Sequence, residues 1–152
     1  MNARQNPILL VEDNPDDEEL TLMALKDAGV QNVVHVARDG AEALAYLFGA
    51  EDGETSQRQP LPTLILLDLM LPKVNGFEVL EKIRETERTR YIPVVILTSS
   101  DADADVARSY RLGVNSYVRK PVEFTEFVGA VRQVGLYWVL LNKASSEGAE
   151  DG

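Results

Sequence analysis

Residues 64–71 read Leu-Ile-Leu-Leu-Asp-Leu-Met-Leu: four apolar residues without a break, then a carboxylate. A run this short between turn-rich segments is a strand, and one without polar alternation is buried on both faces. Working outward, four comparable runs recur at Ile8 to Val11, Val33 to Ala37, Val94 to Leu97 and Ser116 to Val118. The segments between them carry helix signals. Asn14-Pro15 is a cap followed by proline at the first helical position, and Asp16, Asp17, Glu18 and Glu19 complement the positive end of the dipole. Gly29 closes that helix. A second helix is expected from Gly40 to Phe48, ending at Gly49. A third starts near Asn75 or Gly76 and passes Ile83, a fourth begins after Ser100 or Asp101 and stops at Gly113, and a fifth follows Pro121 to about Leu141. Strand and helix alternate five times. Helix-length crossovers demand parallel strands, so the expected fold class is α/β, an open doubly wound five-stranded parallel sheet.

The 152 residues are 45% hydrophobic and 26% charged, the composition of one folded domain. A chain of this size buries roughly 68–70% of its unfolded surface without staples. Cysteine is absent, which removes disulfides, thiolate metal sites and a cysteine nucleophile. Fifteen basic against twenty-five acidic residues give a net charge of −10, which argues against direct nucleic-acid binding and against anionic membranes. No apolar stretch approaches the roughly 20 residues of a membrane span, and Ile8 to Val11 is too short for a signal peptide. A cytoplasmic location is expected. The domain is expected over 7–141, with 1–6 and 142–152 as short flexible termini and Ala50 to Pro62 as a long surface loop.

Polar residues stand where the strands stop: Glu12 and Asp13 after the first, Asp68 after the third, Thr98 after the fourth, Lys120 after the fifth. In open parallel sheets the ligand crevice lies at the carboxyl ends of the strands. Glu12, Asp13 and Asp68 gathered there would repel unless a cation lay between them, and carboxylate oxygens with phosphate favour magnesium. Lys120 can then neutralise phosphoryl oxygens, and the Thr98 hydroxyl can donate to one.

Glu12-Asp13, Asp68 followed by Leu-Met-Leu-Pro, Thr98-Ser99, Tyr117 and Lys120-Pro121, taken together, resemble a response-regulator receiver domain. The resemblance covers Pro7 to about Leu141. It implies the flavodoxin-like strand order 2-1-3-4-5. It further implies that Asp68 accepts a phosphoryl group from a sensor histidine kinase, and that Asp13, Asp68 and the Met70 carbonyl ligate Mg2+ while Glu12 acts through water. Thr98 and Tyr117 would form the switch, read out by the fourth helix, fifth strand and fifth helix. The Ala50 to Pro62 loop and the aromatic-rich end at Leu136 to Leu141 are similar to the phytochrome-associated subgroup, so a bacteriophytochrome is the implied donor.

In the fifth helix, Phe124, Phe127, Val128, Val131, Val134, Trp138 and Leu141 form one stripe, and Leu136, Tyr137, Val139 and Leu140 remain apolar off it. That excess points to a homodimer. His35, the only histidine, reads as a strand residue. The chain ends soon after this helix, so a stand-alone switch acting through another protein is expected, not an enzyme. Two other readings stay open. One is a dimeric interaction module that works without phosphorylation. The other is an aspartyl-phosphate phosphohydrolase, against which Met70 speaks, since it occupies the position two after Asp68 and is neither acid nor base.

Overall fold

A computed structural model describes residues 6–49, 60–100 and 102–120, together with Thr125, Glu126 and Gly129, which are helical. Within them the elements run β1 (Ile8–Val11), α1 (Pro15–Asp27), β2 (Val34–Ala37), α2 (Gly40–Phe48), β3 (Leu64–Leu67), α3 (Gly76–Glu85), β4 (Val94–Thr98), α4 (Asp103–Arg111) and β5 (Ser116–Arg119). All strand pairs are parallel, in the order β2-β1-β3-β4-β5. This is the expected doubly wound, flavodoxin-like sheet. The fifth-helix stripe, the residues Leu136, Tyr137, Val139 and Leu140, most of the Ala50 to Pro62 loop and the tail after 141 lie outside the described residues.

Strand side chains alternate between two cores. Leu9, Val11, Ile65, Leu67, Val94 and Ile96 pack with Ala43 and Leu47 of α2 and with Val79, Leu80 and Ile83 of α3. Ile8, Leu10, Leu64, Leu66, Val95 and Leu97 face the other way, onto Ala24 and Leu25 of α1. Each such aliphatic chain contributes about 1.5–3 kcal/mol on burial. Every residue of β1, β3 and β4 is buried, as the unbroken runs imply. The outer strands differ, because an edge strand has one neighbour and less cover. In β2 only Ala37 is buried, and His35 is exposed, stacked on the Tyr46 ring with centroids 4.1 Å apart.

The helix ends follow their residues. Asn14 Oδ1 accepts from the amides of Asp16 and Asp17, and Pro15 opens α1. Asn75 and Glu78 form a reciprocal capping box at α3. Four elements shift from expectation. β2 begins at Val34, one residue late, with the Val33 carbonyl still accepting from Ile8. β4 and β5 run one residue longer, to Thr98 and Arg119. α4 starts at Asp103 behind Ala102, which has no capping side chain.

The loop from Asp68 to Asn75 is clamped from two sides. A Cβ on Gly76 would sit 2.4 Å from the Asp68 carbonyl oxygen, and one on Gly40 would sit 1.8 Å from that of Val74. Lys73, at φ 66, also pairs with Asp39 of the α2 cap at 3.3 Å. Glycine at the start of both helices therefore lets the backbone carrying Asp68 seat against them. Gly40→Ala gains about 1 kcal/mol of helix propensity but must displace that backbone, so a net loss of about 1–3 kcal/mol is expected in urea unfolding. Unchanged or increased stability would contradict the close approach.

Candidate functional site

The polar residues at the strand ends are aligned by the backbone ladder continuing past the strands. The amide of Glu12 donates to Ala37 O, that of Asp68 to Val11 O, and that of Lys120 to Thr98 O, at 2.9, 3.1 and 2.9 Å. Each side chain thus leaves the sheet at the same edge. Glu12, Asp68 and Thr98 are buried, while Asp13 is exposed. Asp68 Oδ1 accepts from the Met70 amide at 3.0 Å, which fixes the carboxylate plane; the Met70 side chain is exposed.

The Lys120 ammonium sits at the centre, its side chain only 8% exposed. It donates to Asp68 Oδ2 at 2.8 Å and to Asp17 Oδ2 at 3.0 Å. Glu12 Oε1 lies 2.7 Å away, an ion pair whose approach is off the hydrogen-bonding direction. One ammonium thus faces three carboxylates. Burial pushes the Glu12 carboxyl up to about 7, against the opposing pull of Lys120 and with a further push from Asp68. Burial works to lower Lys120, but its contacts with Asp68, Glu12 and Asp17 outweigh that and hold the ammonium above its ordinary value.

Glu12, Asp13 and Asp68 each bring a carboxylate oxygen to within 4.8 Å of the others. Lys120 cannot balance this charge alone. An all-oxygen cluster with excess negative charge fits a hard divalent cation.

Beside the cluster, Thr98 Oγ1 accepts from the Ser100 amide at 3.5 Å. The Tyr117 hydroxyl donates to the Ser100 carbonyl at 2.8 Å. Ser100 Oγ in turn donates to Asp105 Oδ2 at 2.6 Å, closing the open start of α4. Thr98 and Tyr117, from adjacent strands, are tied to one residue of the loop between β4 and α4.

The sequence-predicted residues Glu12, Asp13, Asp68, Met70, Thr98, Tyr117 and Lys120 all gather at this edge. Asp17 was expected only to complement the dipole of α1. It does stand in the first helical turn, but its carboxylate also reaches Lys120. The available signal was Asn14-Pro15, which fixes Asp17 in that turn, close after the strand that delivers Glu12.

No helix among the described residues is long and apolar enough to cross a membrane. Residues 8–132 match the response regulator receiver domain. The probable methanogenesis regulatory protein FilR2 of Methanothrix harundinacea is 44% identical, over 90% of this chain and 86% of its own. Response regulator Rcp1 of Synechocystis is 39% identical, over 91% of this chain and 95% of its own. Among solved structures, the bacteriophytochrome response regulator RtBRR superposes with a TM-score of 0.79 at 53% identity, covering 91% of this chain and 82% of that one. The Mn(2+)-bound form of Rcp1 superposes at 0.70 and 38% identity, covering 90% and 94%. Receiver domains are phosphorylated by histidine kinases and hold Mg2+ or Mn2+ in an acidic pocket. With the match spanning most of the sequence, the sheet order agreeing and the acidic pocket at the same edge, the chain belongs to the response regulator receiver domain family.

Proposed function

We propose that this protein is a phosphorylation switch in which Asp68 accepts a phosphoryl group from a sensor histidine kinase, with Mg2+ held by Asp13, Asp68 and the Met70 carbonyl beside Glu12. The observation that carries the reading is Lys120 Nζ, 2.8 Å from Asp68 Oδ2 and buried among carboxylates. Buried charges are ordinarily paired, so the pair alone also suits a structural aspartate; what favours the phosphoacceptor reading is that the same ammonium is shared with Glu12 beside an exposed Asp13 in one all-oxygen cluster.

In the reaction an Asp68 oxygen attacks phosphorus while the bond to the donor imidazole breaks, leaving an aspartyl phosphate. Lys120 moves its hydrogen bond from Asp68 to the incoming phosphoryl oxygens, offsetting their charge without a change in its own protonation. When bound, the divalent cation supplies further neutralisation of those oxygens. The Thr98 hydroxyl turns from Ser100 to donate to the phosphoryl group. Because Tyr117 is tethered to the same Ser100, that turn loosens its ring, and the surface of α4 and β5 changes.

The donor is a bacteriophytochrome-type kinase, a reading supported by the names of solved structures this chain resembles, the bacteriophytochrome response regulators RtBRR and AtBRR and the phosphorylated cyanobacterial phytochrome response regulator RcpA. The domain extends over 7–141, acts in the cytoplasm and passes its signal to a protein. Homodimerisation through Leu136, Tyr137, Val139 and Leu140 rests on their sequence pattern.

Two measurements test this. Incubation with Mg2+ and a small-molecule phosphodonor should add one hydroxylamine-labile phosphoryl group by intact mass to the wild type and none to Asp68→Asn. Labelling of both, or of neither, would refute the assignment. Cation binding favours ionised Glu12, whose carboxyl is held up to about 7, so binding should release protons. Mg2+ affinity by calorimetry should therefore rise from about pH 6 to about pH 8, by at most about tenfold per unit. Affinity flat across that range would remove Glu12 from the cation's surroundings.

A further inference from the structure

Outside the residues already given roles, the side chain in most direct contact with the proposed chemistry is Asp17. It is the third residue of α1, and its amide is held by Asn14 Oδ1 at 3.0 Å. Asn14 is itself anchored, its own amide donating to Glu12 Oε2 at 3.2 Å. With Asp17 Oδ2 at 3.0 Å and Glu12 Oε1 at 2.7 Å from Lys120 Nζ, the contacts form a closed ring: Glu12, Asn14, Asp17, Lys120 and back to Glu12.

A lysine ammonium has three protons on a long, rotatable stem. Without tethers it points wherever the local field is strongest. Here the acidic surroundings offer several directions, of which only that toward Asp68 serves phosphoryl transfer. Asp17 Oδ2 takes one of these directions as a hydrogen bond, and Glu12 Oε1 draws the ammonium to its side as an ion pair, which leaves Nζ aimed at Asp68 Oδ2. We propose that Asp17 is a positioning residue that, together with the charge of Glu12, holds the Lys120 ammonium so that a proton faces the Asp68 carboxylate and then the phosphoryl group. The inference rests on Asp68 being the phosphoacceptor. It assigns Asp17 no contact with the phosphoryl group.

The ring also explains why this carboxylate belongs on α1. Asn14 sets both the start of the helix and the place of Glu12, so the two tethers of Lys120 move as one body with the end of β1. Asp17 is the more exposed of the partners, its side chain 27% accessible, and Lys120 keeps Glu12 and Asp68 as partners when Asp17 is replaced.

The test is the rate of Asp68 phosphorylation by a small-molecule phosphodonor at saturating Mg2+, for wild type, Asp17→Asn and Asp17→Ala. Asparagine keeps an oxygen acceptor for the ammonium and removes the charge; alanine removes both. Positioning predicts that Asp17→Ala lowers the maximal rate by about tenfold, with the half-saturating donor concentration unchanged, since a group misplaced by about 1 Å costs up to a hundredfold. Asp17→Asn should stay within about twofold of wild type. Asp17→Ser, too short to reach Lys120 but suited to a first helical turn, should match alanine and guards against a folding defect in it. Alanine at or above the wild-type rate would overturn the proposal, because removing negative charge would then merely ease approach of an anion. Asparagine as slow as alanine would also overturn it, showing that charge matters and the tether does not. A wild type that takes up no phosphoryl group would instead overturn the reading of Asp68.

Discussion

One buried ammonium among several carboxylates sets the terms for this protein. Taking Lys120, Glu12 and Asp68 out of water is costly, and their mutual attraction repays it only when distances are short and the remaining oxygens are satisfied. Both conditions hold: Nζ lies 2.7–3.0 Å from three carboxylates, and the second oxygens of Glu12 and Asp68 accept from the amides of Asn14 and Met70. Apolar residues would fill the space with less expense. An all-oxygen cluster of this kind suits a hard divalent cation.

The rest of the architecture serves that cluster. Parallel pairing brings the ends of β1, β3, β4 and β5 to one edge, and three backbone bonds past the strands hold Glu12, Asp68 and Lys120 there. The two cores on either side make the sheet stiff, so the edge is a fixed platform. The close seating of the Asp68 loop on Gly40 and Gly76 fixes the third participant from below. Among the described residues, the start of α4 is joined to Thr98 and Tyr117 through Ser100, and Ser109 is the buried residue of that helix. In the proposed switch, a local charge at this edge would reach the surface of α4 through that single residue.

Much of this was legible before any coordinates. Leu64 to Leu67 ending in Asp68, repeated in kind at the ends of the first, fourth and fifth runs, is a signal carried by period and by position, and both survive folding. Boundaries moved by one residue at β2, β4 and β5 because pairing, not side-chain type, decides where a ladder stops. The exposure of β2 was hidden for a related reason: Val33 to Ala37 reads like a buried run, and only strand order reveals an edge. Asp17 was the instructive omission. An acid in a first helical turn has a sufficient local explanation, and the contact with Lys120 joins residues 103 positions apart. No spacing rule could supply it.

The most direct test of the central claim is the unfolding free energy of Lys120→Met against wild type, with and without Mg2+, at neutral pH. Methionine keeps the volume and removes the charge, so Glu12 and Asp68 lose their common partner. The account predicts a loss of about 3 kcal/mol without the metal, the low end of the range for breaking a buried pair. Added Mg2+ should return part of that loss, because a divalent cation can take over the neutralising role. A variant as stable as wild type in the absence of Mg2+ would contradict the account, since the carboxylates would then not depend on the ammonium they surround.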